Sequence, residues 1–350
     1  MDKRWGCNAL VWLATIGTAP ARLLAAEGRD VVIVASESDP QTRLRSSGTI
    51  VDYTGRELVL ELPSGARRQY PASQVLEIQT QRSPDQTAAD ELFAKHEFAP
   101  ALEKYQRAAH AESRRWMLRQ ILARIVECAR ESGQTALAGD TFLALVRDDP
   151  TTSFFRLIPL AWLPVEPRPE LEKRASVWLA RPDAPAVLLG ASWLLIGAGQ
   201  QQALARLEGV ATSPDPSIAA LAEAQTWRVR FAAADGGELA AWRDKLERFP
   251  AGIRAGPDLI LGRALLFHRQ TEPGTMALMR VPILFPDERT LAAEALWLAA
   301  EALRAGHQPR EAATLYRELA TEYPDARWAA DARNRLSALL RPVAEAAPAP

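Results

Sequence analysis

Cysteine is nearly absent from this 350-residue chain, which has only Cys7 and Cys128. Once Cys7 is set aside with the leader described below, one thiol remains, and one thiol makes no internal disulfide. Cys128 lies in Ile125-Val-Glu-Cys-Ala129, an apolar helical setting that reads as a core thiol and not a reactive one. Histidine is scarce too: His96, His110, His268 and His307 stand far apart, so no pair shares a helical turn to hold a metal. The chain has no Gly-x-x-x-x-Gly-Lys loop, no Gly-x-Ser-x-Gly elbow and no Cys-x-x-Cys. Carboxylates such as Asp90, Glu91, Glu311 and Glu318 read as solvated helix charges, with no apolar setting that singles out a pair. These absences argue against an enzyme, a cofactor and a metal.

Excess charge is missing as well. Lys and Arg number 42 against 43 Asp and Glu, a net charge of -1, so no overall field draws the chain to nucleic acid or anionic lipid. A charged partner must be met by a local patch. No apolar run is long enough for a stable membrane span.

The first apolar run belongs to a different signal. Met1-Asp-Lys-Arg4, an apolar stretch from Cys7 to Gly17, and Ala19-Pro-Ala21 before Leu23-Leu-Ala-Ala26 form the three-part pattern of a secretory signal. Residues 1–26 are therefore read as a leader cleaved after Ala21 or Ala26, and the mature chain as periplasmic or secreted. At the other end, residues 341–350 are small and proline-rich and read as a disordered tail.

From Val31 to Gln81 the hydrophobic period is two. Val31–Val34, Gly48–Tyr53, Glu57–Leu62, Arg67–Tyr70 and Gln74–Ile78 read as short strands, with turn chemistry at Thr54-Gly-Arg56 and Pro63-Ser-Gly65. Residues 27–82 loosely resemble SH3-like or Sm-like barrels through their Gly-x-Ile-x-Asp, Leu-x-Leu-x-Leu and Pro-x-x-x-Val-x-x-Ile arrangement. Several arginines tint the unit basic, but Tyr53 and Tyr70 are its only stacking platforms, so nucleic acid is not an expected partner.

At Ser83-Pro-Asp-Gln86 the pattern turns helical, since serine caps, proline suits the first helical position and glutamine can bond back. Residues 83–340 then repeat themselves. In Leu296–Pro324, Ala300 and Ala312 leave room for two helices to cross while Leu303, Tyr316 and Leu319 fill the space beside them; Gly306 ends the first helix and Pro324 the second. This stretch closely resembles the tetratricopeptide (TPR) family. Ala101, Tyr105 and Ala108 form a second match, and Ala138 with Phe142 a third. A Tyr-Pro-Asp ending before an Ala-rich helix is similar to TPR modules of bacterial envelope proteins, although the lipid-bearing cysteine of outer-membrane assembly lipoproteins is missing. The resemblance implies a mainly α chain: a TPR-like α-solenoid of about six to seven helical hairpins behind a small β-barrel-like unit.

Between 151 and 290 the consensus erodes, and Pro159, Pro164, Pro167 and Pro169 predict a break in the superhelix. The tryptophans sit among Leu and Ala and read as core. Arg114, Arg115, Arg119 and Arg124 make a local basic stretch; Arg115 and Arg119, one turn apart, are the candidate partner-binding pair for an acidic segment in the groove. The functional expectation is a non-catalytic protein–protein interaction scaffold of the cell envelope, taking a protein or peptide partner. The alternative is an enzyme or carbohydrate-binding protein with a pocket in 151–290.

Overall fold

The computed structural model describes residues 29–36, 41–164 and 168–340, so the leader and tail expected from sequence lie outside the described residues. Five strands open the fold: β1 (Asp30–Ala35), β2 (Arg43–Tyr53), β3 (Glu57–Glu61), β4 (Arg67–Pro71) and β5 (Val75–Gln79). All pairings are antiparallel, in the order β4-β3-β2-β1-β5, with a 3₁₀ turn at Ala72–Gln74 before β5. Strand β2 serves both halves of the sheet, pairing with β1 over Arg43–Gly48 and with β3 over Thr49–Tyr53, and a bulge between Ile50 and Asp52 bends it there. It starts five residues before the expected Gly48. The exposed Arg43-Leu-Arg-Ser-Ser47 has no buried face of its own and is drawn into the sheet by the backbone of β1. Such a bent five-stranded sheet is consistent with the small-barrel reading.

Fourteen α-helices follow among the described residues. Six hairpins are formed by α1 (Pro84–Ala94) with α2 (Phe98–Ala111), α3 (Arg115–Glu131) with α4 (Thr135–Asp148), α6 (Ala184–Leu194) with α7 (Gln200–Val210), α8 (Pro216–Arg230) with α9 (Gly236–Leu246), α10 (Ala255–Phe267) with α11 (Thr271–Leu284), and α12 (Arg289–Ala305) with α13 (Pro309–Glu322). Helix α5 (Pro169–Leu179) packs closely on α6, with the α5 backbone at Ala175 and Leu179 against Gly190, and α14 (Ala329–Leu340) closes the array. No helix of the described residues is long and apolar enough to cross a membrane.

Four of the hairpins share one turn. His96, Gly133, Arg269 and His307 adopt φ of 60°, 69°, 60° and 59°, each two residues before the second helix begins. The next N–H reaches back five residues: Glu97 to Leu92 O, Gln134 to Ala129 O, Gln270 to Leu265 O and Gln308 to Leu303 O, at 2.8–2.9 Å. This is the Schellman closure, and it fixes the angle at which each second helix returns. Gly306, expected to terminate α12, keeps φ at -82°, and the left-handed residue is its neighbour His307.

The outer repeats also share a hydrogen bond. Tyr105 donates from α2 to Asp90 of α1 at 2.6 Å, and Tyr316 from α13 to Glu301 of α12, each across fifteen residues of sequence. Ala101, Ala108, Ala138, Phe142, Ala300 and Ala312 are buried around these crossings, while Pro324 is exposed beyond the end of α13. In the eroded middle, aromatic bulk replaces small crossing residues: Trp227 stacks on Trp242 at 5.0 Å and 8°, with Phe249 on its other flank at 5.7 Å.

The β-unit has no core of its own. Val32, Val34, Ile50, Leu58 and Leu60 share one buried cluster with Leu102, Tyr105, Trp116, Met117 and Ile121 of the first helices. A polar seam runs beside it. Gly55 N–H donates to Asp149 at 2.7 Å, and a Cβ on Gly55 would fall 1.6 Å from the Thr151 carbonyl, so only glycine fits this turn.

Candidate functional site: an inner face with its own strap

Arg115 and Arg119, the pair proposed from sequence to meet a partner, belong to that seam. Arg119 is 4% exposed; it donates to Asp52 at 2.7 Å, to the Tyr53 carbonyl at 2.8 Å and to Asp148 at 2.5 Å. Arg115 lies on the same Asp148 at 2.5 Å, and both arginines hold that carboxyl below the usual range. Arg114 bonds Glu112 and the Gln81 carbonyl, and Arg124 lies 4.4 Å over the ring of Phe93. Arg119 and Arg114 thus meet the β-unit, whereas Arg115 and Arg124 are exposed beside Asp148 and Glu127, pairings a linear sequence does not show.

The proline-rich segment after α4 forms the centre of the inner face. Thr152 caps a 3₁₀ turn over Ser153–Leu157, and Pro159 and Pro164 then hold the chain extended. We call residues 157–164 the strap. Ala161 N–H donates to Ser192 Oγ of α6 at 2.8 Å, and the Ala161 carbonyl accepts from Gln225 Nε2 of α8 at 3.4 Å. The Pro159 carbonyl accepts from the indole N–H of Trp193 at 2.8 Å. Behind the strap, Gln225 Oε1 takes bonds from Ser192 at 2.9 Å and Arg228 at 2.7 Å, so every polar atom of that amide is used.

Leu157, Ile158, Leu160 and Trp162 are all buried. The Trp162 indole lies against Gly256 of α10, and Arg130 of α3 and Leu291 of α12 border the same space, where only about 20 Å³ remains open. Helices α3, α8, α10 and α12 each open a hairpin, and α6 packs between α5 and α7. The strap therefore runs along the inner face of the array as an extended peptide would. On the side facing Gly256 the strap fills the space within 151–290, while on its other side a cavity of about 380 Å³ stays open beside Pro159, Trp162, Arg168 and Trp193. Of the tryptophans, Trp116, Trp162, Trp178, Trp227 and Trp242 are buried and Trp193, Trp297 and Trp328 half-buried.

Beyond the strap the ends of the array meet. Arg130 pairs with Glu288, Thr290 donates to Glu131 at 3.2 Å, and Arg289 reaches His96 at 3.5 Å and lies 5.0 Å over Tyr323. At this junction a cavity of about 470 Å³ stays open, bordered by Phe98, Ala99, Glu131, Leu163, Arg327 and Trp328. Two neighbours of about 380 and 350 Å³ share Glu131 with it. Burial pushes the Glu131 carboxyl up, and the adjacent Arg130 partly offsets this. The space is mixed in character, with aromatic walls and charges of both signs.

Sequence comparison bears directly on the last hairpin: the tetratricopeptide repeat family model matches residues 294–326, from α12 through its turn and α13 into the following loop. The last hairpin is thus a tetratricopeptide repeat, set at the end of an array of helical hairpins. No curated protein matches it. Among solved structures it is similar to the TPR2AB domain of yeast Sti1, determined as a complex with pHSP90, at 13% identity and a TM-score of 0.30, covering 73% of this chain and 97% of that one.

Ser192, Gln225 and Arg228 were not singled out from sequence. The signal that pointed to them was the proline set itself: an apolar run barred from helix must bury its side chains against something, and its backbone needs side-chain partners.

Proposed function

We propose that this TPR-like protein is a non-catalytic interaction scaffold, and that its partner docks at the opening where the ends of the array meet. The occupied strap carries this reading. Four buried apolar side chains hold the strap with roughly 6–12 kcal/mol, comparable to the whole free energy of a micromolar complex, about 8 kcal/mol. A partner segment of ordinary affinity does not displace it. The opening at Phe98, Ala99, Arg327 and Trp328 is a part of the inner face that the strap leaves open. Its aromatic and arginine lining is of the kind that anchors protein segments.

We further place this activity in the cell envelope, on the strength of the three-part pattern in residues 1–26. Fractionation, with sequencing of the mature amino terminus, checks this; a full-length chain retained in the cytoplasm contradicts it.

The docking site is tested by capture. Ala99 is exposed and borders the opening, so Ala99→Trp fills it without touching the core. Gly209 of α7 faces open space, so Gly209→Trp serves as the control. The partner recovered with the wild-type chain is expected to be lost with Ala99→Trp and kept with Gly209→Trp. Equal recovery with both variants contradicts the assignment.

A further inference from the structure

The inner face carries a set of arginines with too few carboxylates. Arg228 of α8 is 8% exposed, and its bonds go only to neutral acceptors, the Ser192 carbonyl at 2.8 Å and Gln225 Oε1 at 2.7 Å. Arg263 of α10 is partly buried and has no hydrogen bond or ion pair among the described residues. The charged groups that face this pair are Glu294 and Arg327. Glu294 is already shared, its Oε2 bonded by Arg327 at 2.5 Å and by the Trp328 indole at 2.7 Å. Three guanidiniums are thus met by one carboxylate. Burial and the neighbouring Arg263 push Arg228 down to about 10, the direction expected of a cation that lacks a counter-charge.

Position matters as much as charge. Gln225 and Arg228 lie three residues apart on α8, and Gly256 and Arg263 seven apart on α10, so each arginine continues the stripe its helix presents to the strap. One turn further on, Phe267 is exposed at the end of α10, and Ile196 is exposed just after α6. Toward α12 the pair adjoins Glu294 and Arg327, which border the 470 Å³ opening. An unneutralised cationic stripe therefore runs from the partner opening to an apolar rim.

We propose that Arg228 and Arg263 are an anion seat, and that the segment a partner lays on this face carries an acidic side chain flanked by apolar residues. This rests on the scaffold reading above. Leaving a buried and a half-buried guanidinium without an ion pair costs the free protein stability, and an incoming carboxylate recovers it through charge-assisted hydrogen bonds in a partly desolvated setting. Arg228 also braces the strap through Gln225, so Arg263→Gln is the cleaner variant, since Arg263 makes no hydrogen bond or ion pair among the described residues.

Two probes test the seat. Inorganic phosphate, compared with sodium chloride at equal ionic strength, is expected to raise the Tm of the full chain by about 2 °C and to leave Arg263→Gln unmoved. An amino-acetylated, carboxy-amidated Leu-Glu-Leu-Glu-Leu peptide is expected to bind roughly tenfold tighter than its Leu-Gln-Leu-Gln-Leu counterpart, and Arg263→Gln should erase that preference. The variant should also melt no lower than wild type, which separates a seat from a structural arginine. Equal binding of the two peptides, or a preference that survives in Arg263→Gln, overturns the proposal. If Ala99→Trp abolishes capture while phosphate has no effect, the seat is refuted and the scaffold stands. If phosphate protects and Ala99→Trp captures normally, the seat stands and the docking site is refuted.

Discussion

Trp162 and Gly256 fit together so closely that a Cβ on Gly256 would fall 2.0–2.4 Å from three atoms of the indole. The strap thus reaches α10 only because that helix offers bare backbone at this position. Gly256→Ala is expected to cost about 1–3 kcal/mol by overpacking, measured by urea unfolding. Gly209 lies in helix α7 with nothing within 4 Å, and there the same substitution should stabilise by roughly 0.5–1 kcal/mol. Both changes moving stability in one direction would contradict the packing described.

The shared hairpin turn makes a second prediction. His307 sits at φ 59°, a conformation glycine adopts without strain, so His307→Gly should stabilise the chain. Gly133→Ala, at φ 69° with open space around it, should destabilise by about 1 kcal/mol. Because no packing changes at Gly133, the loss would report backbone conformation alone.

At the seam, Arg119→Met leaves Asp52 without its partner and the Tyr53 carbonyl without a donor, and a loss of roughly 1–3 kcal/mol is expected, since the arginine is buried but its carboxylates are half-exposed. Arg115→Ala removes an exposed guanidinium from the same Asp148 and should change stability little. Since Asp148 is held low by these arginines, its contribution is present above the ordinary aspartate range and is lost as pH falls through its folded value.

Asp258 should show the opposite sign. Its carboxyl is fully buried in the first turn of α10, 3.2 Å from Arg280, and burial pushes it up to about 7 against the two arginines, Arg280 and Arg254, that favour its charge. An acid raised in the folded state binds more protons folded than unfolded between its ordinary value of 3.8 and about 7. Its contribution is therefore full below the unfolded value and lost as pH rises through about 7. Urea midpoints measured from pH 5 to 8 should fall through that window in the wild type, and Asp258→Asn should flatten the fall.

How much of this was legible depended on range along the chain. The outer hairpins were readable because Ala101 with Tyr105 and Ala312 with Tyr316 repeat a local spacing that any helix pair of this type needs. His307 was missed because glycine at 306 is the usual helix stop, whereas histidine in a left-handed turn carries no strong local mark. Pro159 and Pro164 announced a break, but the helices that cover the strap lie 30 to 130 residues downstream. Arg119 shows the same limit in reverse: its basic neighbourhood was visible, while the carboxylates that neutralise it, Asp52 and Asp148, come from either side of its own helix. The acidic partner proposed above is accordingly placed on Arg228 and Arg263, which make no ion pair among the described residues.

Amide hydrogen exchange on the full chain, with and without the captured partner, tests the central claim directly. The Ala161 amide donates to a buried serine, so it should be protected like the helix cores in both states. Partner binding should slow exchange around residues 96–99, 289–293 and 325–328. Loss of protection at Ala161 on binding would mean that the partner displaces the strap, and the account of a self-occupied inner face would be contradicted.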